Sequence, residues 1–409
     1  MISYKKFLVY VCTVLLLLNC HSVYEVGNID CHFDILCIFF TLLLIITSGG
    51  HLLSGSAIKL ILGWMLFNVP ILVYCNSVSD YAFTYLVKYI LYPILIFALL
   101  YMNENMLECI LKAFINTVCT IALISLFFYC FATIWHIITP TGSFYINWNP
   151  ARYVDSYFGI YFEVSGGHVF DYKNAAIYSE STIFAAILCV ALATELYIVE
   201  SHGKKHVFRM LLLIVTILTT FSSGSYFAML ICVFGIIWKN YRRLPKKVRM
   251  ITFFVVVLLA GVVAYAIWII FMRKKTAIGQ SYLVRVDDYL VAWNVLRRHP
   301  LLGVGFGVTN YTKQYMSVQR IATGNYGQSS DMAALVASGG IYFITSYIIG
   351  FLGLSRMINE KSNRIIYISA LVTIFAVSRI GATLFFVLFI SAGIVNFSKR
   401  DKTIWVQSR

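Results

Sequence analysis

Arg285 is the residue of this 409-residue sequence best suited to chemistry on a phosphate. It lies in the stretch Ser281 to His299, SYLVRVDDYLVAWNVLRRH. Helical periodicity there puts Tyr282, Val286, Tyr289, Leu290, Trp293 and Leu296 on one face, with Asp287, Asn294 and Arg298 opposite. A helix so patterned lies along a membrane surface. At the edge of its apolar face the Arg285 stem keeps apolar contact while the guanidinium reaches lipid-borne phosphate. Next comes His299-Pro300-Leu301-Leu302-Gly303-Val304-Gly305-Phe306-Gly307. Pro300 ends the helix, and the alternating glycines let backbone N–H groups approach an anion closely. Spacing alone equally fits a snorkelling interfacial arginine and a flexible turn. A dinucleotide-binding loop is excluded, since no strand precedes it and no βαβ unit follows. Metal chemistry lacks a carrier. Asp287 and Asp288, as helix neighbours, point about 100° apart, and His202 and His206 are crowded by Lys204 and Lys205. The ten cysteines form no C-x-x-C pair and read as small buried hydrophobes. No cofactor is expected.

The elements that hold these residues follow from composition. Hydrophobic residues make up 60% of the chain and charged residues 12%, against about 45–50% and about 25% in a soluble domain. No polar stretch is long enough to fold a soluble catalytic domain. A secreted enzyme, a disordered chain, a coiled coil and a disulfide scaffold are excluded. A hydrocarbon core about 30 Å thick needs about 20 helical residues, and about twelve runs qualify. They are 6–22, 33–48, 57–75, 82–101, 113–138, 176–199, 207–222, 225–239, 251–271, 332–353, 364–378 and 380–397. The stretches 207–239 and 364–397 are each too long for one span and break at Ser222-Ser223-Gly224-Ser225 and Ser378-Arg379. Each is read as a tight helical hairpin. Lys5-Lys6 before Phe7 to Leu18 has the form of a signal peptide ending at Cys20, but Asn19 is not the small residue such a site needs, and the segment is kept as a first span. The expected fold is an all-α polytopic integral membrane protein.

Charge orients it. Lysines and arginines crowd one set of short loops (Lys5, Lys6, Lys204, Lys205 and the run Lys239 to Arg249 among them), and the net charge is +15. Basic short loops stay on the cytoplasmic side, so both termini are expected there, in the cell's inner membrane. The charge then answers to topology and anionic lipid, not to nucleic acid. The two longest connections, 139–175 and 272–331, fall outside, and long loops commonly carry function. Aromatic residues of the first (Phe144, Tyr145, Trp148, Tyr153, Tyr157, Phe158, Tyr161, Phe162) suit either sugar stacking or an interfacial belt. No internal repeat is visible, which disfavours repeat-built transporters.

Arg285, Trp293 and the run from His299 to Gly307 together resemble the signature loop of the Wzy-type polysaccharide polymerases and O-antigen ligases. That loop reads Arg, spacer, Trp, spacer, Pro-x-x-Gly-x-Gly, in a large external loop before the last spans. Tyr178-Ser179-Glu180-Ser181 and Thr219-Thr220-Phe221-Ser222-Ser223-Gly224 are weaker matches to two further motifs. Where ligases typically carry a His after the second loop, this chain reads Ser329-Ser330-Asp331-Met332. An Arg common after the third motif's Ser is replaced nearby by Gly224.

The resemblance implies a GT-C-like fold and a metal-independent glycosyltransferase that polymerises oligosaccharide repeat units on the outer face. The donor and acceptor are carried on polyprenyl diphosphate. A chain-length regulator and a flippase would be its further partners. Diphosphate leaves readily, so the needs are a cation for the departing charge and a base for the acceptor hydroxyl. A planar guanidinium fits phosphate better than an ammonium. Arg285 ranks first for the diphosphate, Arg379 second and Arg152 third, with Trp293, His299, Gly303 and Gly305 as further substrate contacts. Glu180 and Asp331 are the base candidates. Charge at bilayer depth is costly and points to function, and Glu180, read as lying inside its span, is poorly explained as a cap. Lys88 and Glu195, near span ends, read as snorkelling charges. The alternatives are a ligase and, from another class, a lipid-linked oligosaccharide flippase.

Overall fold

A computed structural model describes residues 4–27, 32–48, 53–103, 105–147, 151–164, 172–199, 204–241, 245, 249–250, 261, 268, 279–322 and 326–399. The chain is mostly helical. Five of its described helices are long and apolar enough to cross a membrane: α4 (Gly55–Val78), α5 (Ala82–Met102), α6 (Met106–Ile134), α7 (Ser181–Val199) and α13 (Asp331–Ser355). The other described helices are α1 (Tyr4–Leu18), α2 (Val23–Val26), α3 (Phe33–Thr47), α8 (Lys204–Thr219), α9 (Ser223–Tyr241), α10 (Gly279–Arg298), α11 (Thr309–Lys313), α12 (Val318–Ala322), α14 (Lys361–Val377) and α15 (Leu384–Ser398). The expected run 251–271 lies, apart from Gly261 and Trp268, outside the described residues. The two expected breaks are present, although α14 packs on α9 and α13 rather than back along α15. α8 gives way to α9 across Thr220–Ser222, and α14 to α15 across the segment 378–383.

Hydrophobicity on all sides sends a helix to the centre of a bundle. In α7 nearly every side chain from Ser181 to Val199 is buried, and in α15 every one from Leu384 to Asn396. α15 packs against α13 and α5, α7 against α8 and α9, and α1 against α3 and α6. α13 and α15 approach so closely at Gly350, Gly353 and Gly393 that a methyl group on Gly393 would strike the Gly350 carbonyl. Asn396 Nδ2 donates across the same seam to the Gly353 carbonyl at 2.7 Å. Small residues at such crossings are how membrane helices pack without a hydrophobic driving force. α4 lies at the periphery and exposes Leu62, Leu66, Val69 and Val73, a face suited to lipid rather than water.

One expectation needs correction: the chain is not all-α. The first long connection folds into an antiparallel sheet, β1 (Gly142–Ile146), β2 (Arg152–Tyr157) and β3 (Tyr161–Glu163), in the order β1-β2-β3. Ile146, Val154 and Phe162 on one face enclose Val23 of α2, and the Asn147 N–H donates to the Val26 carbonyl at 2.8 Å. The loop's aromatics thereby divide. Phe162 is buried against α2, and Tyr157 and Tyr161 against Phe128 and Tyr129 of α6, whereas Tyr153 and Phe158 stay exposed. Trp148 lies outside the described residues.

Candidate active site

The connection after α1 joins two distant parts of the chain. His21 adopts a left-handed backbone (φ 55°), a conformation that costs energy in a non-glycine residue and collects at functional sites. Its carbonyl accepts from the Ser179 N–H at 3.0 Å, and the Val23 N–H donates to the Ile177 carbonyl at 2.9 Å. On the other side the Leu384 N–H reaches Asn19 Oδ1 at 3.4 Å, and Cys20 Sγ lies 3.5 Å from Thr383 Oγ1. Residues 19–25 therefore tie the start of α7 to the turn before α15.

Charged side chains gather on this tie. Ser22 caps α2 through the Glu25 N–H at 3.2 Å. The Glu25 carboxylate accepts from the His21 N–H and from Asn19 Nδ2 at 3.4 Å. Burial pushes its pKa up to about 7, against the pull of the His21 N–H and the Lys88 ammonium. Lys88 sits in a wide π-turn, Leu86–Leu91, within electrostatic reach of Asp331 and Glu25. Such turns recur at functional sites. Asp331 opens α13 and accepts the Ala382 N–H at 3.0 Å, while its own N–H donates to the Ser378 carbonyl at 3.0 Å. Arg379 projects from the same turn and interacts electrostatically with Asp331 and His21. Arg152, at the start of β2, faces Glu180 in the same electrostatic sense. Asp331 and Arg379 thus share a network with Lys88, His21 and Glu25, and Glu180 and Arg152 form a separate pair beside it, joined through the Ser179–His21 backbone bond.

Glu180 is not inside its helix, as the sequence suggested, but is the residue that precedes it. Its backbone is extended and its side chain makes no capping bond to α7. Instead Glu180 Oε2 accepts the Thr182 hydroxyl at 2.8 Å.

Arg285 lies on α10. One turn on, the Tyr289 hydroxyl donates to the Ala376 carbonyl at 2.6 Å, and Ser330 Oγ reaches the same carbonyl at 2.7 Å. Arg285 is partly exposed and, among the described residues, forms no ion pair or hydrogen bond. The apolar face of α10 points outward as the wheel implied, with Val286, Leu290 and Trp293 exposed. The opposite face is not solvated. Asp287, Asp288, Val291, Ala292 and Val295 are buried. Arg320, only 3% exposed, bridges Asp287 Oδ2 at 3.1 Å and Asp288 Oδ1 at 2.7 Å. Asp287 also accepts the Ser317 N–H at 3.1 Å, and Asp288 the Ser329 N–H at 2.6 Å. The acid pair that looked idle for metal binding staples α10 to the segment leading into Ser330 and Asp331. Among the described residues no cluster of metal-ligating side chains is present.

The glycine loop is engaged elsewhere. α13 breaks its helical path at Gly340 (φ 62°), freeing carbonyls that need donors. The Val304 and Gly305 N–H groups donate to the Ala337 and Ser338 carbonyls at 2.9 and 3.0 Å, and the Gly303 N–H to the His299 carbonyl at 3.1 Å. Gly303 (φ 61°) lies where a side chain would strike the Ala337 carbonyl. These glycines dock a loop on a kinked helix, and the amides of Gly303, Val304 and Gly305 are already taken. His299 Nε2 pairs with the Tyr311 hydroxyl at 2.7 Å, and Trp293 is 58% exposed. No bond joins either to the network among the described residues.

Sequence reasoning missed Glu25 and set Lys88 aside. The signal for Lys88 was present, since an ammonium seven residues into an apolar helix is costly. Glu25 carried none, because only the sheet and the segment 177–179 bring it inward. Together the site offers cations to hold an anion and carboxylates to accept a proton.

Residues 208–341 match the family model of O-antigen ligase. The matched stretch contains Arg285, Trp293, His299, Gly303, Gly305 and Asp331, and it leaves Arg152, Glu180 and Arg379 outside. The match gives no support to a flippase. No curated protein matches the chain. Residues 208–341 are thus similar to O-antigen ligases, within a mostly helical chain that has five described helices long and apolar enough to cross a membrane.

Proposed function

We propose that this protein is a membrane glycosyltransferase that joins polyprenyl-diphosphate-linked oligosaccharide repeat units into a surface polysaccharide on the outer face of the inner membrane, without a metal. The observation that carries this reading is the meeting of Arg379, Asp331 and Lys88 at residues 19–25, with the Arg152–Glu180 pair beside them at the start of α7. The positive-inside reading puts this end of the bundle outside, where carrier-linked units arrive. About twelve spans with both termini cytoplasmic complete the topology.

In this reading the Arg285 and Arg379 guanidiniums hold the donor diphosphate. The bond from the sugar's anomeric carbon to the diphosphate oxygen breaks, and that oxygen keeps the electron pair. The acceptor hydroxyl oxygen forms the new bond to the anomeric carbon and passes its proton to a carboxylate. Preorganised cations at the developing charge are commonly the largest contribution to such a rate. Glu180 takes the base role, since Asp331 is committed to the Ala382 amide. Arg152 stands in electrostatic contact with Glu180.

A ligase that attaches a finished glycan to a terminal acceptor is the second reading, favoured by the description of the matched family. Analysis of carrier-linked glycans in a deletion strain separates the two. Loss of a polymerase leaves single repeats on the surface. Loss of a ligase leaves long chains on the carrier. An unchanged chain-length distribution contradicts the polymerase.

A further inference from the structure

The opposite end of the bundle holds a cavity. The start of α1, the end of α5 and the start of α6 enclose about 470 Å³, within the range of small-molecule sites. Lys5 and Lys6 enter it from one wall and Lys112 from another, and among the described residues no acidic residue lines it. Glu108, one turn before Lys112, pairs with that lysine, and Lys5 and Lys6 make the lining basic. Asn103 and Asn105 add amide groups to the lining. Asn105 precedes α6 without capping it by its side chain, so the positive end of that helix adds to the field.

We propose that this cavity binds the phosphate headgroup of an anionic phospholipid. Three features favour a lipid over a soluble anion. Val9 and Met106 give the cavity an apolar wall beneath its lysines. Tyr4, Phe7, Tyr10 and Val14 form an exposed apolar stripe along α1, and Tyr10 also lines the cavity. The opening is thereby continuous with a surface suited to acyl chains. Finally, the site lies at the helix ends that carry the chain's excess basic charge, and basic pockets between membrane helices recognise anionic headgroups by this chemistry. Asn116 anchors the back of the site, donating to the Tyr10 hydroxyl at 2.8 Å and accepting from Arg209 of α8. This site does not depend on the proposed glycosyl transfer.

Lipid retention on the purified full-length protein, read by native mass spectrometry from mixed phosphatidylglycerol and phosphatidylcholine, tests the proposal. Phosphatidylglycerol is expected to be retained preferentially, with the preference falling by about fivefold for each of Lys5, Lys6 and Lys112 changed to Ala. Changing Lys361 and Lys399, basic residues at the same end but outside the cavity, to Ala is expected to leave it intact. Single Lys5→Ala and Lys112→Ala variants give the same reading if the triple variant does not fold. Equal retention of the two lipids overturns the proposal. So does a preference unmoved by the cavity variants, or millimolar inorganic phosphate binding without any lipid preference.

Discussion

At the scale of single residues, the account rests on how a few ionised groups are held. Arg285→Lys keeps the charge but loses the two-pronged fork, so polymer formation is expected to fall by about 100-fold or more while membrane insertion is unchanged. Glycan gels set against membrane abundance of the variant check this. Glu180→Gln is expected to abolish transfer, and Asp331→Asn to lower both activity and stability, because Asp331 holds the turn before α15. Equal losses of activity with equal stability would leave Glu180 no special role. Glu25 makes a separate prediction. Its folded pKa of about 7 lies above the ordinary value of 4.5. A raised carboxyl supports the fold fully below the unfolded value, and that support is lost as pH climbs through about 7. The melting temperature of the purified protein is therefore expected to fall between about pH 5 and pH 8 relative to Glu25→Gln. Parallel curves for the two proteins would show that Glu25 does not titrate as described.

At the scale of elements, α10 matters most, and it was only half legible in the sequence. Its existence, its length and its outward apolar face follow from period alone. The burial of its other face does not, because the partner of Asp287 and Asp288 is Arg320, far along the chain in α12. The sheet in the first long connection was hidden in the same way. Its aromatic residues read as a belt or a sugar platform until β1 and β2 pair and α2 fills one face. The breaks after Thr219 and Val377 were plain, since Ser222-Ser223-Gly224 and Ser378-Arg379 interrupt otherwise continuous apolar runs. Of the candidate site, Arg379 and Asp331 were recognisable as charges at helix ends, whereas their convergence with Glu25 depends on contacts made over hundreds of residues. The staple itself is testable. Arg320→Ala leaves two buried carboxylates without a cation and is expected to cost about 3–5 kcal/mol. Asp288→Asn, which keeps the shape, should lower activity by loosening α10. Urea melts of the purified protein measure the first effect. An Arg320→Ala protein as stable as the parent would mean that the triad does not hold α10.

At the scale of the whole molecule, the bundle separates its chemistry by end. Carboxylates and guanidiniums that touch the α1–α7 tie occupy one end, and the lysine-lined cavity occupies the other. The charge asymmetry visible in the sequence follows the same division, and the proposed outer assignment of the candidate site rests on it. Reporter fusions at the C-terminus are expected to read as cytoplasmic, and an external reading would invert the site's face.

The most direct test of the central claim uses the purified protein in lipid bilayers with polyprenyl-diphosphate-linked repeat units and a chelator of divalent metals. The parent is expected to extend the glycan while Arg285→Lys, equally abundant and equally folded, leaves single units on the carrier. Extension by Arg285→Lys at the parent's rate would contradict the claim that this guanidinium grips the departing diphosphate.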